Sequence, residues 1–132
     1  MRGAVVHVVH RGVERVRAVE DGAAALKELR LRPYDLVISD LKMPNMGGLE
    51  LLEKMAEQKL EVLTVIMTGF GTVETAIEAM KKGAYDYILK PFKLEVLRER
   101  ILKALPSKGE AQEQLSFEDW GRIQTHLGIA KG

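Results

Sequence analysis

From Asp35 onward, short continuous apolar runs alternate with stretches of helical periodicity, and this alternation restricts the fold more than any other feature of the chain. Leu36-Val37-Ile38 and Val62-Leu63-Thr64-Val65-Ile66-Met67 are apolar throughout, as expected of strands buried on both faces. Tyr85-Asp86-Tyr87-Ile88-Leu89 is a third strand candidate. Between them, Leu49, Leu52, Met55 and Ala56 recur at helical spacing. Thr72 is placed to cap a helix whose Val73, Ala76, Ile77 and Met80 share one face, with Gly83 closing it. Leu94, Leu97, Ile101 and Leu105 mark another helix, stopped by Pro106, and Ala23 to Leu31 a further one upstream, closed by Pro33. Strands alternating with helices imply βα units and a parallel sheet, an α/β fold.

In an open parallel sheet, chemistry gathers at the carboxyl ends of the strands. The three strands end in Ser39-Asp40, Met67-Thr68 and Leu89-Lys90, so a carboxylate, a hydroxyl and an ammonium should meet at one edge. Taken singly, each has an ordinary structural role: such an Asp caps turns, such a Thr satisfies backbone groups, and most lysines are solvated. Together they suit a phosphoryl group on Asp40. The carboxylate is a competent nucleophile, while Lys90 and Thr68 can hold phosphoryl oxygens by charge and hydrogen bond.

These segments carry a family resemblance. Pro33 to Leu52, with Asp40-Leu41-Lys42-Met43-Pro44 at its centre, resembles the phosphoacceptor segment of two-component response-regulator receiver domains. Val65-Ile66-Met67-Thr68-Gly69-Phe70-Gly71 is similar to their fourth strand and switch loop. Gly83 to Phe92, containing Lys90-Pro91, is similar to their fifth strand. The likeness runs from about Val16 to Leu105 and is nearest to receivers of the nitrogen-regulator type. It implies a CheY-like, flavodoxin-like sheet with flanking helices, and a non-enzymatic signalling role in the cytoplasm. By the same resemblance Asp40 is the phosphoacceptor, Thr68 the switch hydroxyl, Lys90 the phosphoryl-binding lysine and Tyr87 the aromatic that turns inward on activation. Lys42 would offer a backbone carbonyl to Mg²⁺, and Lys90-Pro91 would be cis. The expected partners are a sensor histidine kinase or small phosphodonor and a second copy of the chain. The surface that responds should be the helix from Thr72 to Lys82, the strand Tyr85 to Leu89 and the helix from Lys93 to Leu105.

The N-terminal segment, residues 1–15, departs from this pattern. Receivers open with a strand that ends in the acidic residues holding Mg²⁺. Here Val6-His7-Val8-Val9 would be that strand, and His10-Arg11 follow it. The acids before Glu28 are Glu14, Glu20 and Asp21, and none follows a strand in the expected place. Arg2, Arg11, Arg15 and Arg17 make the segment basic, although the whole chain carries only +1. With one carboxylate, Mg²⁺ affinity is expected to be poor. His7 and His10 would fall on opposite faces of a strand, which argues against a histidine metal site. The usual first helix is also absent, because a parallel crossover takes a dozen or more residues and roughly six separate His10 from Val16. Three arrangements remain: an antiparallel hairpin turning at Arg11-Gly12, one long strand, or pairing with a second chain. Altered in this way, the domain would serve either as a phosphorylated receiver or as a phosphorylation-independent dimerisation or protein-interaction module.

Beyond the receiver-like residues 16–105, the stretch 106–115 is polar and reads as a linker. In 116–132, Phe117, Trp120, Ile123 and Leu127 form an amphipathic helix that must pack back or meet a partner. Leu115 to Gln124 resembles the helix that opens a Fis-type output domain, so DNA binding is expected only through a domain that this sequence does not contain. No cysteine is present, which removes disulfides, thiolate nucleophiles and Cys-ligated zinc. No apolar run is long enough to span a bilayer. An enzyme on a doubly wound fold is disfavoured, because neither Gly47-Gly48 nor Gly69-Phe70-Gly71 makes a phosphate-binding loop.

Overall fold

The computed structural model describes residues 5–8, 16–42, 46–69, 71–104, 118 and 120–123. Five strands form one sheet: β1 (Val5–Val8), β2 (Val16–Val19), β3 (Leu36–Asp40), β4 (Leu63–Thr68) and β5 (Asp86–Leu89), in the order β2-β1-β3-β4-β5. Helices α1 (Gly22–Leu31), α2 (Gly48–Glu57), α3 (Val73–Lys81) and α4 (Leu94–Ala104) connect or follow them. The pairs β3–β4 and β4–β5 are parallel, as the apolar runs imply.

Strand β1 is reversed. It pairs antiparallel with β2, Val5 opposite Val19 and Val8 opposite Val16, and antiparallel with β3, Val5 opposite Ser39. Of the three arrangements left open by the short connection, the hairpin is the one adopted; its turn lies outside the described residues. Strand β2 therefore still runs in the same direction as β3, β4 and β5, with one inverted strand between them.

The period of two along β3 and β4 divides the core between the two faces. Leu36, Ile38, Val65 and Met67 point to one face, where they pack with Ile88, Leu97 and Ile101. Val37 joins Ala25, Leu26, Leu29, Leu51 and Met55 on the other, and Ile66 joins Leu41, Leu52, Ala79 and Ala84 there. Helices α1, α2 and α3 thus cover one face. The other has α4, and beside it Trp120 and Ile123, from a short helical stretch including 120–123, bury themselves on the same cluster with Val16. Ile123 is wholly buried, and the Arg98 guanidinium lies 5.2 Å from the centre of the Trp120 ring. Of the alternatives for this amphipathic segment, it packs back. Phe117 and Leu127 lie outside the described residues.

Local chemistry sets the helix limits. Asp21, two residues after the end of β2, caps α1 by accepting from the Ala24 N–H at 2.8 Å. Thr72 caps α3 in a reciprocal capping box with Thr75, and Gly83 leaves that helix at φ +106°, a conformation that favours glycine. The apolar stripe of α3 lies outward: Val73 is 74% exposed, Ile77 50% and Met80 48%, while Ala79 is the residue that buries. Periodicity identifies a stripe, but the small Ala79 allows close approach to the sheet and so decides which side packs. Beneath α1, Glu28 draws together Tyr34, Arg17 and Arg32. The Tyr34 hydroxyl donates to it at 2.6 Å, and burial with this acceptor pushes the phenol pKa up to about 12.

Candidate functional site

Asp40, Thr68 and Lys90 reach one edge because β3, β4 and β5 end in register. Asp40 sits opposite Met67, Thr68 opposite Leu89, and Lys90 follows directly. The Lys90 ammonium donates to Asp40 Oδ2 at 3.0 Å, and the Leu41 N–H donates to Oδ1 at 3.1 Å. The carboxylate is mostly enclosed, its side chain 15% exposed, and the lysine 32%. Thr68 is fully buried, and its carbonyl accepts from the Lys90 N–H at 2.8 Å, which ties the two strand ends together. The Lys90-Pro91 bond is cis. Gly48 lies so close under Asp40 that a Cβ there would come within 2.7 Å of the Asp40 carbonyl oxygen, so the loop can fold beneath the carboxylate only with glycine.

Tyr87, on β5, is half-buried with its hydroxyl 3.0 Å from Thr75 Oγ1. Lys42, next to the acidic centre, has an exposed side chain. The geometry therefore puts Asp40 and Lys90 in direct contact, sets buried Thr68 at the adjoining strand end with its carbonyl on the Lys90 N–H, and places Tyr87 on the strand that leads to Lys90. It also adds Thr75, which the sequence reading did not single out. The signal that could have found it is the Thr72-x-x-Thr75 capping pair, which fixes a second hydroxyl at the start of α3 facing the end of the sheet.

In the register of the reversed β1, Val5 lies beside Ser39. The sequence has no acid among Met1 to Val5. Glu20 and Asp21 follow β2, and β1 separates that strand from β3, so they do not follow a strand beside Asp40. Asp21 already holds the cap of α1. Among the described residues no three His, Cys, Asp or Glu side chains gather as a metal site. The donor set at this edge does not fit a magnesium ion held by several carboxylates. His7 lies in β1, and His10 lies outside the described residues.

The arrangement holds the Asp40 carboxylate with one oxygen on an ammonium and the other on a backbone N–H. The response regulator receiver domain model matches residues 1–102. The chain belongs to that family. Among relatives, it is 38% identical over 94 residues to the transcriptional regulatory protein ZraR of Salmonella typhimurium, which covers 71% of this chain and 21% of that protein. It is 35% identical over 114 residues to the response regulator protein FleR of Pseudomonas aeruginosa, covering 83% of the chain and 24% of FleR. The Francisella response regulator 1452 receiver domain superposes with TM-score 0.62 at 30% identity, over 65% of this chain and 71% of that one. NtrX from Brucella abortus superposes with TM-score 0.60 at 34% identity, over 72% of this chain and 22% of NtrX. The receiver spans about a fifth of the length of the ZraR proteins it matches.

Proposed function

We propose that this receiver accepts a phosphoryl group on Asp40 from a sensor histidine kinase or a small acyl phosphate. The observation that carries the reading is the Lys90 Nζ to Asp40 Oδ2 contact at 3.0 Å across three strand ends. An Asp40 oxygen attacks phosphorus, the donor's bridging atom (the imidazole nitrogen of a phosphohistidine or the bridging oxygen of an acyl phosphate) leaves with the electron pair of the broken P–N or P–O bond, and an acyl phosphate forms on Asp40. Lys90 passes from the carboxylate to the phosphoryl oxygens, and Thr68 supplies a hydroxyl to them. Thr68 and Tyr87 then act as a two-position packing switch.

The surface that the switch addresses is apolar. Ile77 and Met80 of α3, Leu89 of β5 and Val96 of α4 are all exposed, and a homodimer mate is the partner that we assign to them. The domain is not itself an enzyme in this reading and works in the cytoplasm; among the described residues no helix is long and apolar enough to cross a membrane. Residues 116–132 are assigned as the start of an output domain, through which any DNA contact would pass, joined by the linker 106–115 to the receiver 16–105 and the atypical segment 1–15. Support for an output domain comes from the greater length of relatives such as ZraR and FleR. The relatives and solved structures give no support to a phosphorylation-independent module.

Incubation with an acyl phosphate should add one phosphoryl group to the intact mass, and Asp40→Asn should abolish the gain. A gain that survives in Asp40→Asn would refute the assignment. Because the donor set does not fit magnesium, calorimetric titration with Mg²⁺ is expected to show no saturable binding. Tight binding that disappears in Asp40→Ala would contradict this.

A further inference from the structure

Helix α1 begins against the loop that leaves Asp40. The first N–H groups of a helix have no partner within it. In α1 the Asp21 side chain takes the Ala24 N–H, while the Gly22 N–H, the first of the helix, donates to the Met46 carbonyl at 3.1 Å. The approach is so close that a Cβ at Gly22 would come within 2.7 Å of that oxygen, 2.9 Å of Met46 Cγ and 3.0 Å of Met46 Cβ. Met46 also packs on the cluster of Ala25, Leu26, Leu51 and Met55. From there the contacts run back to Asp40 through the main chain. The Gly48 N–H donates to the Leu41 carbonyl at 2.8 Å. The Leu41 N–H is in turn shared between Asp40 Oδ1 at 3.1 Å and the Met67 carbonyl at 3.0 Å. A donor set almost equally between two acceptors is divided by small movements of its own backbone. Here one acceptor belongs to the neighbouring strand and the other to the carboxylate.

We propose that Gly22 is a positioning residue: by holding the Met46 carbonyl it sets the Leu41 main chain, and so the share of the Leu41 N–H that Asp40 receives. The effect on rate rests on the reading of Asp40 as the phosphoacceptor; the effect on Leu41 does not. The oxygen that a side chain at position 22 would strike is backbone, so no change of rotamer clears it and the loop itself must shift. Alanine is a better helix former than glycine, so Gly22→Ala does not weaken α1 by propensity.

The test takes two readings on the full chain. Without phosphodonor, ¹H–¹⁵N spectra of ¹⁵N-leucine-labelled protein follow the Leu41 amide, assigned by Leu41→Met. With an acyl phosphate, intact mass gives initial rates over a range of donor concentrations. Gly22→Ala should move the Leu41 signal and lower the maximal rate about tenfold, as displacement near a reacting group does, with the half-saturating donor concentration unchanged. Ala25→Gly weakens the same helix without adding an atom beside Met46, and should leave signal and rate as in wild type. If Gly22→Ala does not fold, Gly22→Ala/Met46→Gly relieves the side-chain contacts, keeps the one with the carbonyl, and is read in the same way. An unmoved Leu41 signal or a rate like that of wild type in the Gly22 variant would overturn the proposal. So would an equal loss of rate in Ala25→Gly, since that would make the effect one of helix stability. A wild-type chain that gains no phosphoryl group would refute the role of Asp40 instead, and the Leu41 signal would still decide whether Gly22 sets the loop.

Discussion

Trp120→Ala is expected to lower the unfolding free energy by about 3–5 kcal/mol, the usual cost of truncating a buried aromatic to alanine. The ring is 5% exposed and sits on the cluster of Val16, Leu36, Ile38, Val65, Met67, Ile88, Leu97 and Ile101. The connection between β1 and β2 is residues 9–15, too short to carry a crossover helix over this face. Without Trp120 and Ile123, α4 alone would shield the cluster among the described elements, and the strands beside it would meet water. The loss therefore combines transfer of the indole with exposure of its neighbours, and stacking against Arg98 adds a smaller share. Urea denaturation followed by circular dichroism measures it. A change below about 1 kcal/mol, the level typical of surface positions, would mean that the helical stretch does not seal the sheet in solution.

The second large effect concerns chemistry. Lys90→Met is expected to slow formation of the phosphoprotein by about a hundredfold or more, as when a donor aimed at developing phosphoryl charge is removed. Methionine keeps the length of the side chain and loses only the ammonium, so the cis Lys90-Pro91 turn and the Thr68 carbonyl contact keep their backbone partners. The dependence on this lysine should be heavier here than in a receiver with an acidic metal cradle. The Lys90 ammonium is in contact with Asp40, and among the described residues no three His, Cys, Asp or Glu side chains gather as a metal site. Initial rates with an acyl phosphate, read by intact mass, test this. A Lys90→Met rate within a factor of about three of wild type would remove Lys90 from the mechanism.

Much of the site was legible because strand ends leave a strong mark. Buried parallel strands are largely apolar, so the polar residues that follow the runs, Ser39-Asp40, Thr68 and Lys90, announce the edge. The direction of β1 was not legible. The short connection excluded a parallel crossover, but a hairpin, a long strand and an intermolecular pair all satisfy that limit, and only the register of Val5 with Val19 and Ser39 separates them. The fate of Trp120 was open for a related reason: an amphipathic stripe demands a mate without saying which one. On α3 the stripe of Val73, Ile77 and Met80 was legible from its spacing, but not that it stays exposed while the small Ala79 packs. Thr75 was missed because its partner Tyr87 is twelve residues away, and the pairing depends on how β5 lies against the start of α3.

The most direct test of the account traps the acyl phosphate where it forms. Borohydride reduction after incubation with an acyl phosphate converts a phosphorylated aspartate to homoserine, and peptide mass spectrometry then locates it. The structure predicts homoserine at position 40 alone, with its yield collapsing in Lys90→Met. An unmodified Asp40, or reduction at another carboxylate such as Asp21 or Asp86, would contradict it.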